Sequence, residues 1–168
     1  YAYPTVGLPD YQPIAPPIEA AVAYSIARQE SHFNQKVVSS ANAMGLMQVT
    51  PAAGIDTAAK FKFTYNRDRL LKDPVYNMQM GAAELSNLFS GYNGSYVLTF
   101  AGYNAGRGRV KQWVAAYGDP RDPRVDPRLP TQVRFGGLRP ANRHLLMQAL
   151  NEATAGRLQG MGVGPDEG

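Results

Sequence analysis

The sequence predicts a mainly helical fold, built as one domain. Three observations carry that reading. Apolar residues recur at helical spacing in separate stretches of the 168-residue chain. Thr50-Pro51 and Asp73-Pro74 each set a capping side chain before a proline at the first helical position. No alternating runs joined by a short Gly-containing turn signal a hairpin. The length suffices for one domain with a real core.

Residues 1–17 hold five prolines and no helical period. They are expected to form an extended arm lying over the body. The first helix is predicted over 18–31, with Val22, Ile26 and Glu30 spaced i, i+4, i+8 on one stripe. Residues 32–49 mix Ser, Asn and Gly with short apolar pieces and read as a loop-rich stretch that forms a site. Thr50-Pro51 opens an Ala-rich helix to about residue 60. Asp73-Pro74 opens another, with Val75, Met78, Ala82, Leu85 and Phe89 on one stripe and Gly91 as its stop. Asn77 and Glu84 fall on the less apolar side of that helix. Residues 95–104 fit either a strand or a buried helix. Val110, Trp113, Val114 and Tyr117, followed by Gly118, mark a further helix. Three copies of Asp-Pro-Arg, beginning at Asp119, Asp122 and Asp126, make residues 119–139 a stiff, charged linker. The segment 140–159 is expected to hold one more helix, over 140–158, with Leu146, Leu150 and Ala153 on one face, and 160–168 a disordered tail.

Composition narrows the function. Apolar residues make up 44% of the chain, which marks it as globular. No apolar run is long enough to span a bilayer. The opening Tyr1-Ala2-Tyr3-Pro4 has no Met and lacks the basic, apolar, small-residue order of an export signal, so a processed product or an excised piece is expected. Cysteine is absent, which excludes disulfides and thiolate metal sites. The formal net charge is +4. A basic protein tends to meet anionic polymers, such as nucleic acid, an acidic membrane surface or a carboxylate-rich glycan. The basic residues are scattered, without a dense stripe, which argues against nucleic acid.

Glu30 is the most informative residue. An acid on a core-facing stripe is poorly hydrated, which favours its neutral, proton-donating form. A glycosidase needs such an acid to protonate a leaving oxygen. The competing reading is a helix-end Glu turned out into water. Four pieces then occur in order: Glu30-Ser31-His32-Phe33-Asn34, Gly45-Leu46-Met47-Gln48-Val49-Thr50-Pro51, the stretch from Asn77 to Gly81, and Ala101-Gly102-Tyr103-Asn104-Ala105-Gly106.

On these motifs the sequence resembles the catalytic domain of the soluble lytic transglycosylases, over roughly residues 18–125. The resemblance implies a lysozyme-like, goose-type helical fold with a substrate groove, and a catalytic core over 18–118. It also implies the chemistry. Glu30 protonates the glycosidic oxygen between N-acetylmuramic acid and N-acetylglucosamine in peptidoglycan. The substrate's N-acetyl group steadies the positive sugar. The same Glu then takes the proton from the 6-hydroxyl, which closes on C1 to leave a 1,6-anhydro end. One carboxylate suffices, and no second Asp or Glu lies between Glu30 and Asp56.

The resemblance further places Ser39, Met47, Gln48, Thr50, Tyr103 and Asn104 as substrate-binding residues. All but Gln48 have a plainer reading: Ser39 a turn or cap, Met47 core, Thr50 first a helix cap, Tyr103 a packed aromatic, Asn104 with Gly106 a turn former. No cofactor is implied, and with only His32 and His144 a metal site has little support. The expected partner is the peptidoglycan glycan strand, with no nucleic acid and no membrane span. A monomer and a periplasmic home are expected, the latter inferred from the substrate. The family's closing Glu-Thr-Arg-x-Tyr stretch is missing, since Pro127-Arg128-Leu129-Pro130 follows Asp126. That departure keeps a non-catalytic, peptidoglycan-binding or decayed protein as an alternative, beside a hydrolytic lysozyme of the same fold.

Overall fold

Both cap–proline signals become helix starts in the computed structural model, which describes residues 9–122, 124 and 125. Helix α2 is Pro51–Phe61 and α4 is Pro74–Gly91. Thr50 Oγ1 accepts from the Ala53 amide at 3.2 Å, and Asp73 Oδ1 from the Tyr76 amide at 3.0 Å. Helix α1 is Ala20–Ser31, two residues shorter at its start than expected. A six-residue helix, α3 (Arg67–Lys72), lies where the sequence shows no period, capped by the Asn66 side chain. The ambiguous stretch is helical: α5 is Tyr96–Ala105, capped by Ser95, and α6 is Arg107–Tyr117. Among the described residues the β structure consists of isolated bridges, Val38 to Met44 and Met44 to Val49. The closing helix over 140–158, the tail, the third Asp-Pro-Arg copy and the first eight residues of the arm lie outside the described residues.

The chain divides into two compact units, the first up to Gly94 and the second from Ser95. In the first, α4 is the central helix, packed against α1, α2 and α3. The expected stripe is partly right: Met78, Ala82 and Leu85 are buried, while Val75 and Phe89 are half-buried. Tyr76, Met80, Gly81, Ala83, Ser86, Asn87 and Leu88 are buried as well. A helix surrounded by neighbours has no wet face, so a single-stripe reading underestimates it. The same cause overturns the expectation for Asn77, which is fully buried (0%) and not on a less apolar side. Glu84 is half-buried and accepts from Thr57 Oγ1 at 2.6 Å, while Lys60 Nζ donates to Asn87 Oδ1. These two bridges fix α2 against α4. Residues 11–18 of the Pro-rich stretch border a crevice over Ala82 and Ala83 of α4, and Gln79 Nε2 donates to the Gln12 carbonyl at 3.0 Å.

In the second unit α5 packs on α6. Of the expected α6 residues, Val110 is buried and Trp113, Val114 and Tyr117 are half-buried. Beyond Gly118 the arginines of the first two Asp-Pro-Arg copies turn back onto their own aspartates. The Arg121 guanidinium grips the Asp119 carboxylate at 2.9 Å, and Arg124 grips Asp122 at 2.7 Å. Each arginine holds its partner's carboxyl below the usual carboxylate range.

Candidate active site

Glu30 stands in the last turn of α1 and is half-buried. The buried side of that helix runs through Ala23, Ile26, Ala27 and Ser31, with Val22 only half-buried. Glu30 therefore lies at the border of the core stripe and not in its middle, a correction to the i, i+4, i+8 expectation. The helix cannot run on past it. His32 (φ 51°) and Phe33 (φ 64°) are both left-handed, a conformation that costs a residue with a side chain about 1 kcal/mol or more. Strain of this kind persists only where surrounding contacts over-determine it.

The stretch from Asn34 to Thr50 is built around Met44, which exchanges backbone hydrogen bonds with Val49 at 3.0 and 3.1 Å. The Gly45 amide donates to the Val37 carbonyl at 3.0 Å, and the Gln48 amide to the Gly45 carbonyl at 3.1 Å. Gly45 (φ 74°) and Gln48 (φ 48°) make the left-handed corners of this turn. Two carboxamides hold it from outside. Gln35 Oε1 accepts from the Leu46 amide at 3.2 Å, and Asn77 Oδ1 from the Met47 amide at 2.8 Å. Asn77 Nδ2 donates to the Met44 and Leu70 carbonyls at 2.8 and 2.7 Å, and Gln35 Nε2 shares Leu70 O at 3.0 Å. Leu70 O belongs to the last turns of α3, where carbonyls lack helical partners. The loop thus also caps that short helix.

Gln48 is 5% exposed. Its Nε2 donates to the Val37 and Gly45 carbonyls, both at 3.0 Å. Both contacts need a donor, which assigns the orientation of the amide. Its Oε1 is buried and, among the described residues, accepts no hydrogen bond.

Ser39 is half-buried and closes the 39–43 turn, its Oγ accepting from the Ala43 amide at 3.1 Å. Thr50 is the α2 cap, the first of its two readings. Met47 is 0% exposed, and a Cβ at Gly81 would come within 2.6 Å of its Cγ. Its side chain fills the core and has no surface for a ligand. Tyr103 and Asn104 belong to the second unit, in the last turn of α5, both half-buried. Asn104 Oδ1 is a second buried acceptor without a hydrogen bond among the described residues. Gly106 (φ 83°) ends α5, its amide donating to the Gly102 carbonyl at 2.9 Å. His32 is exposed, and the described residues hold no cluster of His, Asp and Glu suited to a metal. None of their helices is long and apolar enough to cross a membrane.

The model of the Transglycosylase SLT domain family matches residues 14–124, more than half of the chain. This chain belongs to the transglycosylase SLT domain family. Its SLT domain is similar to the soluble lytic murein transglycosylase of Escherichia coli K12, with 37% identity over 98 residues. That match covers 58% of this chain and 15% of the relative. The crystal structure of the 70 kDa soluble lytic transglycosylase from Escherichia coli superposes with a TM-score of 0.63 at 28% identity, over 82% of this chain and 22% of that one. An inactive Glu-to-Gln mutant of lytic transglycosylase Slt from Pseudomonas aeruginosa superposes with a TM-score of 0.58 at 30% identity, over 80% and 22%. The chain thus spans under a quarter of the length of each of these three relatives. With these neighbours the fold is the lysozyme-like, mainly helical one expected. Gln35 was not singled out from sequence, and the role of Asn77 was missed. A polar residue that holds distant backbone leaves no periodic signal.

Proposed function

We propose that this SLT domain cleaves peptidoglycan as a lytic transglycosylase, with Glu30 as acid and then base. The observation that carries the reading is a half-buried glutamate in the last turn of α1 in a chain of this family. The inactivity of a Glu-to-Gln mutant of the Pseudomonas relative supports a role for an essential glutamate. Glu30 donates its proton to the oxygen of the MurNAc–GlcNAc bond as that bond breaks. The substrate's acetamido oxygen stabilises C1. The Glu30 carboxylate then accepts the 6-hydroxyl proton as that oxygen bonds to C1, giving the 1,6-anhydro end. The proton count closes without water. Within the first unit, Ser39 and Gln48 contact the glycan, and Thr50 contributes by capping α2. The catalytic core comprises residues 18–118. The protein works on the wall in the periplasm as a monomer.

Mass spectrometry of soluble products from purified sacculi tests this. The parent is expected to release anhydro-muropeptides, and Glu30→Gln to release fewer by about 10²-fold or more. Products that borohydride reduces would mean hydrolysis instead. Equal yields from the two proteins would remove Glu30 from the mechanism.

A further inference from the structure

Helix α1 carries Glu30 in its last turn, yet its neighbours grip it lightly. Its buried face consists of Ala23, Ile26, Ala27 and Ser31, of which only Ile26 brings a large side chain. Among the helices it packs chiefly on α4. At its front the Glu19 side chain caps none of the first amides. The chain just ahead of the helix supplies further hold. Tyr11, Ile14, Ala15 and Ile18 are half-buried, while Gln12, Pro13, Pro16 and Pro17 between them are exposed. Ile14, Ala15 and Ile18 border the crevice over Ala82 and Ala83 of α4. Gln79, one turn earlier on that helix, donates from Nε2 to the Gln12 carbonyl at 3.0 Å. Tyr24 of α1 is near enough to act on the Tyr11 phenol, which burial first and that neighbour second push up. The stretch therefore engages both helices. Its three prolines fix φ in advance, so few contacts suffice to order it.

We propose that residues 11–18 form a strap that fixes the front of α1 against α4 and so positions Glu30, with Gln79 as the positioning residue that holds the strap by the Gln12 carbonyl. This rests on the transglycosylase reading above. Gln79 touches no substrate and acts through the strap. The helix transmits the effect: its twelve residues form one rigid rod with the strap entering at one end and the acid near the other. A front that tilts or frays moves the carboxyl, and a misplacement of about 1 Å can cost a reaction about 10²-fold.

Amide hydrogen exchange and steady-state kinetics on sacculi decide the matter, run on the full chain as parent, Ile14→Asp, Gln79→Leu and Gln79→Lys. Circular dichroism first establishes a temperature at which all four are folded. Ile14→Asp sets a charge against Ala82 and Ala83 and is expected to release the strap. The Val22, Ala23 and Ile26 amides of α1 are then expected to exchange about tenfold faster, with Leu85 and Leu88 of α4 unchanged. The kcat is expected to fall about tenfold with KM within about twofold, since an acid out of place weakens the transition state and not glycan binding. Gln79→Leu is expected to shift both readouts the same way by about threefold, and Gln79→Lys, which restores a donor, to return within about twofold of the parent. Unchanged α1 exchange in Ile14→Asp overturns the strap, as does exchange that rises equally in α4. Faster α1 exchange with unchanged kcat overturns the link to Glu30. A Gln79→Lys protein as impaired as Gln79→Leu overturns the role of Gln79. A parent that releases no anhydro-muropeptides overturns the transglycosylase reading and the kinetic half of this inference, while the exchange data still decide the strap.

Discussion

At the scale of single residues, two glycines with similar backbones separate conformation from space. Gly45 (φ 74°) and Gly94 (φ 81°) both occupy the left-handed region. A Cβ at Gly94 meets only Phe89 Cζ, at 3.7 Å, while one at Gly45 strikes the Asn77–Leu70 contact. Gly94→Ala is expected to cost about 1 kcal/mol for its backbone alone. Gly45→Ala is expected to cost about 2–4 kcal/mol, because overlap adds to that strain. Urea unfolding of the two variants measures the gap, and equal costs would mean that the carboxamides yield. Motif and resemblance point to Glu30 and Gln48 as candidate site residues, and the structure half-buries the first and buries the second. Met47 carries two readings, glycan contact or core, and its full burial agrees with the second; an apolar residue beside a polar one gives no sign of which way it turns. Gln35 and Asn77 were illegible as a pair: their shared target, Leu70 O, lies 35 residues from one and 7 from the other.

At the scale of elements, legibility followed the termini. α2 and α4 were placed correctly because Thr-Pro and Asp-Pro carry a mechanism, a side-chain acceptor followed by a residue with no amide hydrogen to satisfy. α3 was missed because six residues complete fewer than two turns. α5 stayed ambiguous because Tyr, Val, Thr and Phe suit either state until neighbours decide. Asp73 offers a direct check on a cap. Its carboxyl is held below the usual range, first by the Tyr76 amide and then by Arg69. A depressed pKa contributes stability above the unfolded value near 3.9, and that stability is lost as pH falls through the folded value. Asp73→Ala is therefore expected to cost about 1 kcal/mol at pH 7, and less as pH falls below about 4. The Arg69 contact adds little, because that guanidinium is half exposed. Thermal melts of both proteins across this range test the sign; a gap that widens in acid would refute it.

At the scale of the molecule, the sequence indicated a helical family member but not its division at Gly94. A boundary inside a run of helices has no composition shift to mark it, and here it falls in a two-residue left-handed turn, Asn93 (φ 52°) and Gly94. Charge was more readily read. Arg121 and Arg124 are engaged by their own aspartates, so the net charge of +4 is not concentrated in the Asp-Pro-Arg stretch. Attraction to an anionic wall should then be diffuse and long-ranged, the kind salt weakens most. Sedimentation of Glu30→Gln with sacculi is expected to show bound protein falling several-fold as ionic strength rises from about 0.05 to 0.5 M. Salt-independent binding would instead favour short-range contacts with the glycan.

Helix α1 is closed at one end and open at the other. Behind Glu30 the left-handed pair His32 and Phe33 bars any extension, whereas at the front the Glu19 side chain does not cap the first amides of the helix. For protein engineering this makes the front the adjustable end. Glu19→Ser is expected to stabilise the chain by about 0.5–1 kcal/mol while leaving the register of the acid untouched. Inserting one residue before Glu30 would instead turn it by about a hundred degrees around the helix axis.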